Sequence, residues 1–352
     1  MKRRHSAANA LNVMAIMLIV AITLASCSTI DDNRDDCYIN LQADYELNLV
    51  TNETSELART LGDRPGIAEA LRQHLSGVLA DPGRDLILSF YNNGPRSYQQ
   101  TEAMNNAPTK RVNMTLDIKD YEHLAIANVQ GNNVVTLEGD NTLQTTSLDA
   151  NNTNEAIASQ KTGIFTGRRS FPNMTYGNYP CHIPLYIANC AAAIVLDPRT
   201  AKFTDVKIYT TGFATSFSVA DSTYQYDKSP LVRAESVAMP DTTRWIAFCG
   251  VSFPSKEPTT PARETRSRVD ADQPFSYADS GKDLWQYEGY VTMADATVTK
   301  TTLTIRHPLR NGQLKVLRGY IDDQGAIRLY DTEVGATVNI DWKSGNEFNP
   351  VF

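Results

Sequence analysis

The chain has 352 residues, a formal net charge of −7, 41% hydrophobic and 21% charged residues, five cysteines and five histidines. At roughly 100–200 residues per globular domain the length predicts about two domains, and the mix of apolar and charged residues excludes a mainly disordered chain. Net acidity argues against nucleic acid or an anionic lipid surface as the main partner, and no long apolar stretch after the first thirty residues points to a polytopic membrane protein.

The N-terminus reads as an address. Lys2, Arg3 and Arg4 precede an apolar run from Leu11 to Ala25. That run is shorter than the roughly 20 residues of a spanning helix, so it reads as a secretory signal over residues 1–26. It ends Leu24-Ala25-Ser26-Cys27, which resembles the lipobox of bacterial lipoproteins. The resemblance implies cleavage before Cys27 and acylation of its thiol, leaving a lipid anchor in the outer membrane. The alternative for a lone cysteine here is half of a disulfide. Cleavage removes three basic and no acidic residues, moving the net charge from −7 to −10. Residues 27–37, with Asp31, Asp32, Asp35 and Asp36, read as a lipidated flexible tether, and they resemble the acidic surface-export leash of Bacteroidetes lipoproteins.

Beyond the tether, Ile39, Leu41, Ala43, Tyr45, Leu47 and Leu49 alternate with polar residues, the period of a strand with one face buried. Asp63 as cap, Pro65 in the first turn and the stripe Ile67, Ala70, Leu71, Leu75, Val78 and Leu79 predict one short helix whose apolar side is core, stopped by Asp81-Pro82-Gly83. Strands are then expected at 86–91, 112–118, 124–129, 183–187, 206–209, 213–219, 245–253, 303–306, 314–321 and 334–342. The Asn- and Thr-rich stretch 132–162 reads as loops or short edge strands, and 254–275 as a solvated insertion. Few helical crossovers fit between the strands, so antiparallel sheets are the economical answer. The fold class is all-β, with a first sandwich over 38–179 and a second over 180–352.

Signals for chemistry are sparse. GxSxG, HExxH, phosphate-binding and EF-hand patterns are absent, so no catalytic residue, metal or cofactor is assigned. His74, His123, His182 and His307 lack ligand spacing and suit structural roles. Cys37, Cys181, Cys190 and Cys249 could form disulfides after export, in any of three pairings, or serve as buried small hydrophobes. Trp245, Trp285 and Trp342 are expected in the core, with stacking on sugars as the alternative. Tyr224 and Tyr226 are expected in a loop, where exposed tyrosines suit glycan or protein contacts.

The segments Val206-Lys207-Ile208, Gly212 to Phe217, Asp221-Ser222-Thr223, Val251 to Ser255, His307-Pro308-Leu309, Gly312-Gln313-Leu314 and Val338 to Gly345 resemble Bacteroidales fimbrillin-like accessory lipoproteins. The lipobox, acidic leash, Cys37 and alternating first strand agree. The resemblance implies two tandem transthyretin-like β-sandwiches and a surface-exposed anchor or minor subunit of a type V pilus. It implies partnership with other fimbrial subunits by strand complementation, at the fimbrium base. In that family an Arg-directed protease removes the acceptor's first strand, so Arg59, Arg64 and Arg84 are candidate processing points. A glycan- or host-binding surface lipoprotein without a pilus partner is the rival.

Overall fold

A computed structural model describes residues 38–79, 83–150, 156–226, 231–258, 263–265, 281–330 and 336–343, with backbone only for the last strand and for 263–265. The leader, Cys27, the tether through Cys37, Asp81-Pro82, most of the 254–275 insertion and the Trp342 side chain lie outside the described residues.

Four sheets carry the strands, numbered β1 to β23 along the chain. The first is seven-stranded, in the order β3 (Arg96–Ala107), β2 (Gly83–Tyr91), β5 (Tyr121–Ala127), β9 (Phe165–Phe171), β10 (Gly177–Ile187), β1 (Tyr38–Asn48) and β4 (Thr109–Asp117). The second runs β16 (Glu235–Ser236), β17 (Ile246–Ser252), β11 (Cys190–Asp197), β21 (Leu314–Ile321) and β22 (Ile327–Leu329). The third runs β23 (Ala336–Lys343), β20 (Val298–Ile305), β19 (Trp285–Met293), β12 (Phe203–Thr211), β15 (Leu231–Arg233) and β8 (Ala156–Ala158). The fourth runs β18 (Arg263–Thr265), β14 (Thr223–Gln225), β13 (Ser216–Ser218), β7 (Ser147–Ala150) and β6 (Val135–Glu138). The all-β expectation holds.

Three apolar cores explain why these runs form strands. One joins Ile39, Leu41, Ala43 and Tyr45 of β1 to the helices and to one face of the second sheet. Another fills the space between the second and third sheets, with Ile194, Leu196, Trp285, Tyr287 and Leu303. A third packs the fourth sheet on the outer face of β2 and β5, through Ile87, Leu124, Leu148, Phe217 and Phe253. β2, β5 and β11 therefore bury both faces, which is why their sequences are continuous apolar runs instead of alternating ones.

Several expectations need correction. Two helices stand where one was expected, α1 (Glu53–Leu61) and α2 (Pro65–Ser76). Asp63 caps neither. The α2 N-cap is Arg64 without a side-chain hydrogen bond, and Asp63 instead pairs with Arg318 at 2.8 and 3.0 Å. The α1 signal is weak in sequence because its pull is tertiary. The Asn52 amide brackets the Leu314 backbone at 2.7 and 3.1 Å, and buried Glu56 accepts the Val316 N–H at 2.9 Å. The sheets are not purely antiparallel: β1 with β10, β11 with β21, and β15 with β8 run parallel. Long excursions through other strands, not helical crossovers, return the chain for those pairs. β10 (Gly177–Ile187) runs across position 180 within the first sheet, and β7 and β8 pair with strands beyond position 215.

Candidate functional site

The first strand is the most fully held element of the first sheet. β1 pairs in parallel with β10 from Ile39↔Gly177 to Asn48↔Tyr186, and antiparallel with β4 from Tyr38↔Asp117 to Glu46↔Thr109. It is an interior strand with both edges satisfied. Ile39, Leu41, Ala43 and Tyr45 point inward and are at most 1% exposed. On the outer side the Arg111 guanidinium binds Asp44 at 2.6 and 2.8 Å, holding that carboxyl below its usual range. Thr115 meets Asn40 at 3.2 Å, and the His182 ring lies 3.1 Å from Glu46. These outer pairs are solvent-exposed and contribute little each, but they match one register only.

The inward face carries one polar link. His123 on β5 is fully buried, stacked on Phe90 with ring centroids 4.1 Å apart. Its Nδ1 lies 3.0 Å from the Ser89 carbonyl oxygen, which can only accept, so Nδ1 bears the proton. Nε2 is then an acceptor, and the Tyr45 hydroxyl, 3.0 Å away, donates to it. Burial lowers the His123 pKa to about 3, so the ring stays neutral through the ordinary pH range. Burial likewise raises the Tyr45 phenol, and no proton transfer is set up between them. The pair is a register lock, consistent with the structural role expected for His123.

Beyond the C-terminal end of β1 lies a cavity of about 330 Å³, lined by Asn48, Val50, Gly167, Pro184, Tyr186 and Asn311 among others. Its lining is mainly apolar. Arg168, also in the lining, is bound to Glu122 and to the Ala220 carbonyl.

The other residues singled out in the sequence fall as follows. Arg59 is in the last turn of α1, ion-paired with Glu56 at 2.9 Å. Arg84 lies within β2, its N–H bound to Asn128 at 2.8 Å. Arg64 lies in the exposed link between the helices and is followed by Pro65, a bond that trypsin-like proteases do not cut. Cys181 is half-buried, and Cys190 and Cys249 are fully buried; all three are free thiols with pKa values raised by burial. Cys190 and Cys249 are offset by three residues in the register of β11 and β17 and so face different cores, which keeps them from bonding to each other. Tyr224 and Tyr226 are buried, not exposed, with hydroxyls donated to the carbonyls of Ala188 and Ser255. Trp285 is core, its Nε1 donating to the His307 carbonyl at 3.0 Å. Among the described residues no group of three or more His, Cys, Asp or Glu comes together to hold a metal.

No protein-family model matches the chain, and no curated protein matches it. Solved structures similar to it include a candidate adhesin from Bacteroides ovatus, 12% identical over 75% of this chain and 82% of that one, with a TM-score of 0.47. The fimbrial anchor protein Mfa2 from Porphyromonas gingivalis is 9% identical over 88% of this chain and all (100%) of its own, TM-score 0.44. The tip fimbrial protein Mfa3 from the same organism, C-terminally truncated, is 9% identical over 86% and 99%, TM-score 0.41.

Proposed function

We propose that the protein is a surface-exposed lipoprotein of the outer membrane, held by an acylated Cys27, that serves as anchor or accessory subunit at the base of a fimbria. The observation that carries this reading is the position of β1, the strand that directly follows the tether. Tension between lipid and body would enter β1 at Tyr38 and run along its axis. The ladders to β10 and β4 then resist in shear, so many hydrogen bonds strain together instead of opening one by one from an edge. The buried side chains of β1 and the Tyr45–His123 bond oppose the same sliding. Such a strand suits a subunit that keeps its N-terminus and transmits force to it.

The same placement defines what strand loss would do. Removing β1 opens a slot between β10 and β4, with unpaired backbone groups on both sides and an apolar floor, which a donated strand of the same alternation would fill. A cut between β1 and α2 would leave β1 without a covalent link to the body, held by its ladders to β10 and β4 and by the contacts of Asn52 and Glu56 with Leu314 and Val316. The sequence resemblance to fimbrillin-like lipoproteins supplies the partner class, other fimbrial subunits. Replacing Cys27 by Ala in the native cell tests the anchor. Palmitate label should vanish, and the protein should leave the membrane fraction with its fibres. Retained label, or fibres still bound to cells, would contradict the proposal.

A further inference from the structure

The helices cover only part of the face of the second sheet on which they lie. Past their ends, the same face is covered by an alternation of guanidinium groups and rings. Arg64 lies over Trp245, with Cζ 5.3 Å from the ring centroid. Arg318 sits 5.2 Å from Trp245 and 5.4 Å from Tyr330. Arg199 lies 3.2 Å over Tyr320 and 5.3 Å from Tyr330. The rings themselves form a row, Trp245 to Tyr330 at 5.9 Å and Tyr330 to Tyr320 at 5.2 Å. Arg199 is held in place by its backbone, at φ +47° with its N–H on Asp197 at 3.0 Å, and Arg244 donates to its carbonyl.

The carboxylates around this row are already engaged. Asp63 takes both Nη atoms of Arg318 and lies 3.6 Å from Arg64. Asp197 accepts the Tyr330 hydroxyl at 2.8 Å, and Asp323 accepts the Thr200 hydroxyl at 2.7 Å. Arg199 and Arg244 are exposed and make no ion pair with any described residue. A chain of net charge −7 thus keeps two adjacent guanidinium groups free of acidic partners. Stacking spends the flat faces of the rings and of the guanidinium groups on each other. The guanidinium N–H groups not already engaged by Tyr330, Tyr320 or the Arg199 carbonyl remain for a ligand, and they match the oxygen pairs of sulfate and carboxylate groups.

We infer that this row binds an acidic polysaccharide, through sulfate or carboxylate groups spaced along the chain and met by Arg199, Arg244 and Arg64. A neutral sugar is disfavoured because the ring faces are occupied, and for the same reason bases have no free platform on which to stack. The acidic body further disfavours a polymer as densely charged as nucleic acid. The site is independent of whether the protein holds a fibre.

Binding of the purified protein to heparin, polygalacturonate, neutral dextran and single-stranded DNA tests the assignment. Wild type should bind heparin, polygalacturonate or both, telling sulfate from carboxylate preference, and high salt should release it. The double variant Arg199→Gln, Arg244→Gln should lose about tenfold or more in affinity while remaining folded by circular dichroism at the assay temperature, since charge-assisted hydrogen bonds are the strong ones. Failure to bind either acidic polysaccharide, equal binding by the double variant, or tighter binding to DNA would each overturn it.

Discussion

Lowering the pH isolates the Tyr45–His123 lock. In the folded state His123 titrates near 3, against 6.5 for a free imidazole, because burial penalises its charged form. Between those values the unfolded chain binds a proton that the folded chain refuses. Stability from this group is therefore complete above pH 6.5 and falls as the pH drops toward 3. One pH unit corresponds to about 1.4 kcal/mol, so His123 alone should cost on the order of 3 kcal/mol between pH 6.5 and 4. Other groups titrate over the same range, so the test is a difference. Urea unfolding of wild type and His123→Gln, measured at several pH values, should give curves that converge as the pH falls. The variant starts less stable and loses less. Parallel curves would refute the reasoning, because they would mean His123 is already solvated or charged.

Other consequences follow from particular contacts. Tyr45→Phe leaves His123 Nε2 buried without a donor and should destabilise by about 1–3 kcal/mol in chemical denaturation, with little change in the pH 7 fold. Trp285→Ala removes a side chain that is 1% exposed between two sheets and should cost about 3–5 kcal/mol. Gly312→Ala places a Cβ at φ +77° against the Val50 carbonyl, and thermal unfolding should show a loss of about 2 kcal/mol or more. Limited trypsin digestion of the folded protein should leave Arg59 and Arg84 uncut, because both lie inside regular elements, and should spare Arg64 because Pro65 follows it, as read by N-terminal sequencing of the fragments.

Much of the framework was legible in the sequence, for identifiable reasons. The period-two run 39–47 marks which side of β1 is buried, and the stripe Ile67, Leu71 and Leu75 marks the inner side of α2. Both are local patterns set by one element and one core. What flanks β1 was not legible, because β10 starts well over a hundred residues away and pairs in parallel without a helical crossover. Tyr224 and Tyr226 were misjudged because their rings fill the core beside Phe253 while their hydroxyls reach backbone carbonyls, a partnership no spacing announces. The arginine and aromatic row was missed for a related reason. Arg64, Arg199, Trp245, Arg318 and Tyr330 come from separate segments and meet only when the second sheet is assembled. His123 offered one usable sign, a histidine at an inward position of an apolar strand, which demands a buried partner.

The central claim is that this protein ties a fibre to the cell through β1 and the lipidated tether. Electron microscopy with immunogold labelling, on wild-type cells and on cells lacking the protein, tests it most directly. The account predicts gold at the cell-proximal end of each fibre, and fibres shed into the medium when the protein is missing. Gold along the whole shaft, or fibres that stay attached without the protein, would contradict it.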